Sequence, residues 1–266
     1  MKIEIYKPNS ASQVRGAFML FYGKSGVGKT TTILQTAPDP IVDICAERGD
    51  IKNTITVANR PDLKLAMAYY EDWNDLLDTV YDLENFKRLK AKSVLLDSLT
   101  HLMNIHLADE ILEENYDAMD KKKIEKDLTM RVKLSQEGYG TMSKQMGRLM
   151  KGFEQLTIAG INVICTARED QMPKWNRDLT CAPALAGREF GRDMKGFFDF
   201  IGLVESRFDE NGQIVYPPVV SCDDDGSWLS KWTGVKPLGG VIRKPFNITR
   251  MLQFATGEQP GKEGKE

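Results

Sequence analysis

The chain has 266 residues, of which 41 % are hydrophobic and 28 % are charged, a composition that is ordinary for a folded globular protein. Its formal net charge of −2 excludes a uniformly basic surface, so any contact with nucleic acid has to come from a local patch. No apolar run approaches the length of a membrane span, and residues 1–7 lack the apolar core of a signal peptide. We therefore expect a cytoplasmic protein without a membrane partner.

The cysteines and histidines argue against a zinc site. The cysteines are far apart and form no C-x-x-C pair, and only His101 and His106 could complete a ligand set with them. Free thiols in a reducing compartment are the simplest interpretation of Cys45, Cys165, Cys181 and Cys222.

The first half of the chain predicts strands that alternate with helices. Residues 1–16 form a polar lead-in, and an amphipathic helix is predicted over 72–89, where apolar residues recur at helical spacing. A long helical stretch is expected over 99–134, with dense charge of both signs in its middle. Predicted strands lie at 17–22, 41–45, 54–58, 66–70 and 94–97.

The second half predicts one more helix and strand, then a long loop. Residues 136–140 contain glycines at 138 and 140 and are expected to break the helical pattern. A helix over 141–156 and a strand over 161–166 follow. Residues 167–195 show little regular pattern, and a loop of that length in a domain is usually functional or mobile.

The last part of the chain predicts antiparallel strands. Segments 201–208 and 214–220 flank Asn211-Gly212, a strong hairpin signal, and a turn at 223–226 precedes residues 227–232. The whole pattern predicts an α/β fold, with a mainly parallel sheet covered on both faces and antiparallel hairpins at the C-terminal edge. The expected organisation is a lead-in (1–16), one main domain (17–234), a C-terminal extension (235–256) and a disordered tail (257–266).

The most specific motif is G-x-x-x-x-G-K-[ST], the phosphate-binding P-loop, formed by Gly23, Lys24, Ser25, Gly26, Val27, Gly28, Lys29 and Thr30. Its glycines let backbone N–H groups turn inward around phosphate oxygens. Lys29 is expected to reach the β- and γ-phosphates of ATP, and the Thr30 hydroxyl to bind Mg²⁺. An apolar strand precedes the loop, and a helix opening at Thr31 follows it and adds its N-terminal dipole.

Three further residues are expected at this site because ligands bind at the carboxyl ends of parallel strands. Asp97 ends an apolar strand and is the candidate for a second Mg²⁺ contact, the alternative being an N-cap of the next helix. Glu47 follows the second strand and is the best candidate to polarise the attacking water, with a surface turn glutamate as the alternative. Thr166 ends a later strand and either senses the γ-phosphate or is a plain strand-end threonine. Asp43, inside the second strand, is expected to face a helix layer or a cap.

These segments, in this order, resemble the RecA-like ATPases, most closely the small phage-type group linked to single-strand annealing and recombination. The resemblance rests on the P-loop region 21–32, on Ala46-Glu47 after the second strand, and on the Ser93–Leu99 strand with its aspartate. It continues through 138–140, 162–166, 183–187 and 198–200, so it covers about residues 17–234. It implies a RecA-like P-loop fold, with Glu47 as the catalytic acid and with ATP and Mg²⁺ as cofactors.

The resemblance also implies an oligomer, a ring or a filament, in which ATP lies between neighbours and a basic residue of the next subunit reaches the phosphates. Lys231 is similar in position to such a residue, although Trp232 and Thr233 stand where the family often has an arginine. Arg243 and Lys244 are weaker options.

The long loop after the 161–166 strand faces DNA in RecA-like proteins, and here its composition suits single-stranded DNA. Phosphates need arginine or lysine, and bases stack on aromatic rings. The alternative is a mobile surface loop with compensating charges. The expected DNA-binding residues are Arg168, Lys174, Trp175, Arg177 and Arg188.

The resulting functional expectation is a Mg²⁺-dependent, DNA-stimulated ATPase that binds single-stranded DNA and promotes annealing or recombination, with a single-strand DNA-binding protein as a further expected partner. One alternative is a nucleotide-gated loader or regulator that hydrolyses ATP slowly or not at all and docks through the charged helical region 105–135. A P-loop kinase for a small molecule is less favoured, because the sequence shows no evident arginine-rich lid or acceptor site.

Overall fold

A computed structural model describes residues 15–46, 59–115, 134–173, 176, 178–223, 226–234 and 244–256. The strands within these ranges are β1 (Phe18–Gly23), β2 (Ile41–Cys45), β3 (Leu65–Ala68), β4 (Ser93–Asp97), β5 (Asn162–Gln171), β6 (Cys181–Pro183), β7 (Phe200–Phe208), β8 (Ile214–Ser221), β9 (Lys231–Trp232) and β10 (Lys244–Pro245).

The helices within the described ranges lie between and after these strands. They are α1 (Lys29–Thr36), α2 (Trp73–Tyr81), α3 (Leu83–Arg88), α4 (Leu99–His101), α5 (Ala108–Asn115), α6 (Gln136–Ile158), α7 (Arg188–Asp193) and α8 (Ile248–Thr256). A π-helical turn (Leu102–Leu107) joins α4 to α5, and a 3₁₀ turn (Met194–Gly196) follows α7.

The strands form one mainly parallel sheet in the order β10-β8-β7-β1-β5-β4-β2-β3. The run from β7 to β3 is parallel, while β8, β9 and β10 add antiparallel pairs at the C-terminal edge. This confirms the predicted fold class. Because β1, β4 and β5 are neighbours, their carboxyl ends meet at one edge of the sheet.

Alternation along the strands sends side chains to two hydrophobic layers. In β1, Phe18, Leu20 and Tyr22 face the layer that includes α2, the π-helical turn and α6. Met19 and Phe21 face the opposite layer, which includes α1 and α8. Both faces of the central strands are therefore buried, which explains why β1 and β4 read as continuous apolar runs in the sequence.

The helix predicted over 72–89 is two helices in the structure, and the break has a local cause. The carboxylate of Asp82 accepts a hydrogen bond from the backbone N–H of Asn85 at 3.2 Å, so it caps α3 as α2 ends. The helical stretch expected from residue 99 is confirmed as far as Asn115.

The predicted helix break at 136–140 is wrong, because α6 begins at Gln136 and passes through both glycines. The hydroxyl of Ser135 accepts a hydrogen bond from the backbone N–H of Gly138 at 3.0 Å and caps the helix. Gly138 is also buried, and a Cβ there would lie 3.2 Å from Leu134 Cδ2. Capping and close packing outweigh the cost of about 1 kcal/mol that glycine carries in a helix.

The prediction of a largely irregular loop over 167–195 is also wrong. Strand β5 continues to Gln171 because β6 pairs with it antiparallel, with Glu169 opposite Pro183 and Gln171 opposite Cys181. Helix α7 occupies Arg188–Asp193. The pairing of β5 with β6 supplies backbone hydrogen bonds to residues 169–171, and the sequence of this segment alone does not predict that pairing.

Other predictions are confirmed or lie outside the described residues. The hairpin around Asn211-Gly212 is confirmed as β7 and β8. The predicted strand at 54–58, the lead-in up to residue 14 and the tail from 257 lie outside the described ranges, and the domain boundaries stay predictions. All four cysteines are free thiols. In the described part of the chain, no helix has the length and hydrophobicity that a membrane crossing requires.

Two glycines give a matched test of this packing. At Gly202 in β7, an added Cβ would lie 2.6 Å from Val220 Cγ2 and 2.9 Å from Cys222 Sγ, whereas at Gly147 in α6 it would meet nothing within 4 Å. We expect Gly202→Ala to lower the free energy of unfolding by about 1–3 kcal/mol through overpacking. Gly147→Ala should raise it by about 0.5–1 kcal/mol. Urea denaturation measures both values, and equal shifts for the two variants would contradict the described packing.

Candidate functional site

The P-loop connects β1 to α1 at the carboxyl edge of the sheet, beside β5 and β7. Gly28 occupies the N-cap position of α1 with φ of 94°, a left-handed conformation that favours glycine. Gly23 ends β1 so close to β7 that an added Cβ would lie 2.2 Å from the Val204 carbonyl oxygen. The loop backbone is thus held between the sheet and the first turn of the helix.

The Lys29 side chain folds back along its own loop. Its ammonium group donates hydrogen bonds to the carbonyl oxygens of Gly23 at 3.0 Å and Lys24 at 2.9 Å. A cation is therefore placed at the α1 N-terminus, where the loop N–H groups and the helix dipole already favour an anion.

Asp97 joins three elements at this edge. One of its carboxylate oxygens accepts a hydrogen bond from the Thr30 hydroxyl of α1, and the other accepts one from the Thr166 hydroxyl of β5. Asp97 itself is the last residue of β4. Three residues predicted separately from the sequence thus converge.

A cavity of about 240 Å³ lies over this cluster. The P-loop and the start of α1 form one wall, and the end of β4 and the middle of β5 form another. Its lining includes Lys29, Thr30, Thr31, Asp97, Thr166 and Arg168. It also includes one aromatic residue, Tyr216 of β8.

The donor set at the cavity fits Mg²⁺. Thr30 and Asp97 supply a hydroxyl and a carboxylate, which are hard oxygen ligands. Among the described residues no group of three or more His, Cys, Asp and Glu side chains could hold a metal. Mg²⁺ commonly uses one or two protein ligands and completes its shell with phosphates and water.

A second acid, Asp43, is buried beneath this site with only 3 % of its surface exposed. It lies in β2 opposite Leu95, and Cys45 two residues later lies opposite Asp97, so both acids are on the α1 face of the sheet. Burial, together with the smaller effect of the negative charge of Asp97, raises the pKa of Asp43 to about 7. Its Oδ1 has no hydrogen-bond partner in the described part of the protein. Asp43 does face a helix layer, one of the two alternatives that the sequence left open.

Sequence reasoning missed the contact of His106 with the end of β2. A ring nitrogen of His106 lies 2.9 Å from the carbonyl oxygen of Ala46, and the His101 and Tyr70 rings pack against it. The π-helical turn brings the two histidines, five residues apart, to ring centroids 5.3 Å from each other. Nothing in the spacing of two histidines predicts this turn. Glu47, which follows Ala46, lies outside the described residues.

Several predicted residues are not brought to the cavity. The Val27 side chain is buried in the hydrophobic layer with α1. Lys231 of β9 pairs with Ile201 of β7 and donates a hydrogen bond to the Lys195 carbonyl oxygen at 3.0 Å, and it does not line the cavity. Its expected contact in a neighbouring subunit stays a prediction.

The predicted DNA-binding residues are divided by the structure. Arg168 is exposed and lines the cavity, two residues after Thr166 on β5. Arg188 begins α7, but its side chain is outside the described set. Lys174, Trp175 and Arg177 lie outside the described residues, so their role stays a prediction.

The buried Asp43 predicts a pH-dependent stability in the absence of nucleotide and Mg²⁺. Its pKa is about 7 in the folded protein against the ordinary value of 3.8, so the folded state keeps a proton that the unfolded chain releases between pH 4 and 7. The wild type therefore loses stability over that range, and the loss is complete above pH 7. We expect the stability of Asp43→Asn relative to wild type to grow by about 2 kcal/mol between pH 5 and 8.

Urea unfolding at both pH values measures this difference. Asp78→Asn at an exposed position of α2 is the matched control for the substitution itself. A stability difference between Asp43→Asn and wild type that stays constant from pH 5 to 8 would contradict the account.

The family of the chain follows from comparison with known proteins. The family described as AAA domain matches residues 15–223, which is most of the sequence. No match was found among curated proteins. The matched range contains the P-loop, Asp97, Thr166 and the hairpin that carries Tyr216. The chain therefore belongs to the AAA domain family and is a nucleotide-binding protein of the P-loop ATPase type.

Proposed function

We propose that this protein is a Mg²⁺-dependent ATPase that binds single-stranded DNA and promotes annealing or homologous recombination in an oligomer, with a phage origin. The observation that carries the nucleotide part is the convergence of Thr30, Asp97 and Thr166 beside the P-loop cavity. The DNA part rests on the resemblance to RecA-like ATPases and on the basic and aromatic residues that follow β5.

In this proposal the cavity residues and Glu47 have separate parts in phosphoryl transfer. The N–H groups of the P-loop and the ammonium of Lys29 hold the phosphates and stabilise the charge that develops on them. Thr30 and Asp97 would hold Mg²⁺, which would supply positive charge beside the phosphates. Glu47 accepts a hydrogen bond from the attacking water and orients it.

Thr166 links the cavity to the segment after β5, where the residues proposed to bind DNA lie. It is fully buried, it bonds to Asp97, and it belongs to the same strand that ends at Gln171 before the residues expected to contact DNA. In this proposal, nucleotide binding beside Asp97 is communicated through this hydrogen bond and β5 to the residues expected to contact DNA.

Arg168 is assigned to the nucleotide in this proposal, in place of the DNA contact expected from sequence. It lines the same cavity as Lys29 and Thr30, and a guanidinium can pair with phosphate oxygens. The DNA contact then depends on Lys174, Trp175, Arg177 and Arg188.

The test is ATP hydrolysis with and without single-stranded DNA. We expect DNA to stimulate wild-type turnover, and Glu47→Gln to lower turnover by about 10²–10⁴-fold while ATP binding is retained, because water activation acts mainly on the transition state. Arg168→Ala should weaken ATP binding or hydrolysis without DNA, whereas Arg192→Ala, at an exposed residue that pairs with Asp193, should not.

The outcomes distinguish the alternatives. ATP binding without DNA stimulation, or a Glu47→Gln variant as active as wild type, would contradict the proposal and favour a nucleotide-gated loader or regulator. Transfer of phosphate to a small acceptor would favour a kinase.

A further inference from the structure

Tyr216 stands out because it is a large exposed side chain that also belongs to the cavity. It is 58 % exposed. It is the one aromatic side chain among the described residues that line the phosphate cavity. The other lining residues are small, hydroxylated or charged.

The ring approaches the P-loop by one edge. A Cβ added at Gly28 would lie 2.8 Å from Tyr216 Cε1 and 3.5 Å from Cδ1. An edge contact of this kind, together with the high exposure of the side chain, leaves a ring face available at the rim of the cavity. Aromatic faces are the surfaces on which nucleic acid bases stack.

The fold holds Tyr216 at this place by strand pairing. Strand β7 is a parallel neighbour of β1, with Leu203 opposite Tyr22, and β8 returns antiparallel to β7. The pairing shifts register between Glu205 and Arg207, and the Arg207 guanidinium donates a hydrogen bond to the Tyr216 carbonyl at 3.3 Å. The tyrosine is therefore presented by a hairpin anchored beside the P-loop strand.

The size of the cavity indicates which part of a bound nucleotide would contact the Tyr216 ring. At about 240 Å³ it is smaller than the roughly 300–1,000 Å³ typical of a pocket that holds a whole small-molecule ligand. Its P-loop walls suit phosphates. When the triphosphate occupies the cavity, the nucleoside extends past the rim, where Tyr216 is exposed.

We propose that Tyr216 is the platform on which the base of the bound nucleotide stacks. Stacking reads the face of a base and not its hydrogen-bonding edge, so the platform favours a purine and discriminates weakly between adenine and guanine. This inference rests on the proposed ATP binding at the P-loop and adds the recognition of the base, for which the sequence shows no motif.

The experiment measures binding by isothermal titration calorimetry with Mg²⁺ and three probes, namely non-hydrolysable analogues of ATP and GTP and inorganic tripolyphosphate, which has no base. For Tyr216→Ala we expect the Kd of both nucleotide analogues to rise about tenfold or more, while the Kd of tripolyphosphate stays within about twofold. Tyr216→Phe keeps the ring and should bind as wild type does. Phe208→Ala removes an aromatic side chain of β7 that is 61 % exposed and lies outside the cavity lining, and it should also bind as wild type does.

Each other outcome overturns the inference in a recognisable way. An equal loss of tripolyphosphate binding in Tyr216→Ala would mean that the ring acts through its packing on Gly28 and not on the base. Wild-type affinity in Tyr216→Ala would place the base elsewhere, and a preference of more than about a hundredfold for one purine would refute weak discrimination. A wild type that binds neither nucleotide analogues nor tripolyphosphate would refute the proposed function itself, and the inference with it.

Discussion

The site depends on Asp97, whose carboxylate accepts hydrogen bonds from two hydroxyl groups. Through Thr30 it ties the acid to the first turn of α1, and through Thr166 it ties the acid to β5. These contacts are available because β4, β5 and β1 are adjacent and parallel, so that their carboxyl ends share one edge.

The same alternation that builds the hydrophobic layers explains the unusual environment of Asp43. Its neighbours Val42 and Ile44 face the α6 layer, so Asp43 has to face α1, in line with Leu95 and beneath Asp97. A buried carboxyl group whose pKa is about 7 is costly to ionise, and two acids on one face make it costlier. The nucleotide site is therefore built on a strand pair that is not optimised for stability alone, as is common where polar groups serve binding or catalysis.

Features of this protein that depend on neighbouring residues in the sequence could be predicted, whereas features that depend on contacts between distant segments could not. The P-loop, β1, β2 and β4 were predictable because each depends on a contiguous run of residues, and the meeting of Asp97 with Thr30 followed from the rule on strand ends. The extension of β5 was not predictable, since it depends on pairing with β6. Tyr216 was missed for the same reason: its contact with Gly28 depends on the β7–β8 hairpin lying beside β1. The glycines of α6 led to a wrong prediction of a helix break, because the Ser135 cap and the tertiary packing outweigh the low helix propensity of glycine.

The central claim is that Asp97 and Thr30 form the Mg²⁺ contact of a nucleotide site. The most direct measurement is the affinity for a non-hydrolysable ATP analogue with and without Mg²⁺, in wild type and in Asp97→Asn. The account predicts that Mg²⁺ increases the affinity of the wild type and has little effect on the variant, because an amide replaces the carboxylate ligand. A variant whose affinity increases with Mg²⁺ as much as that of the wild type would contradict it.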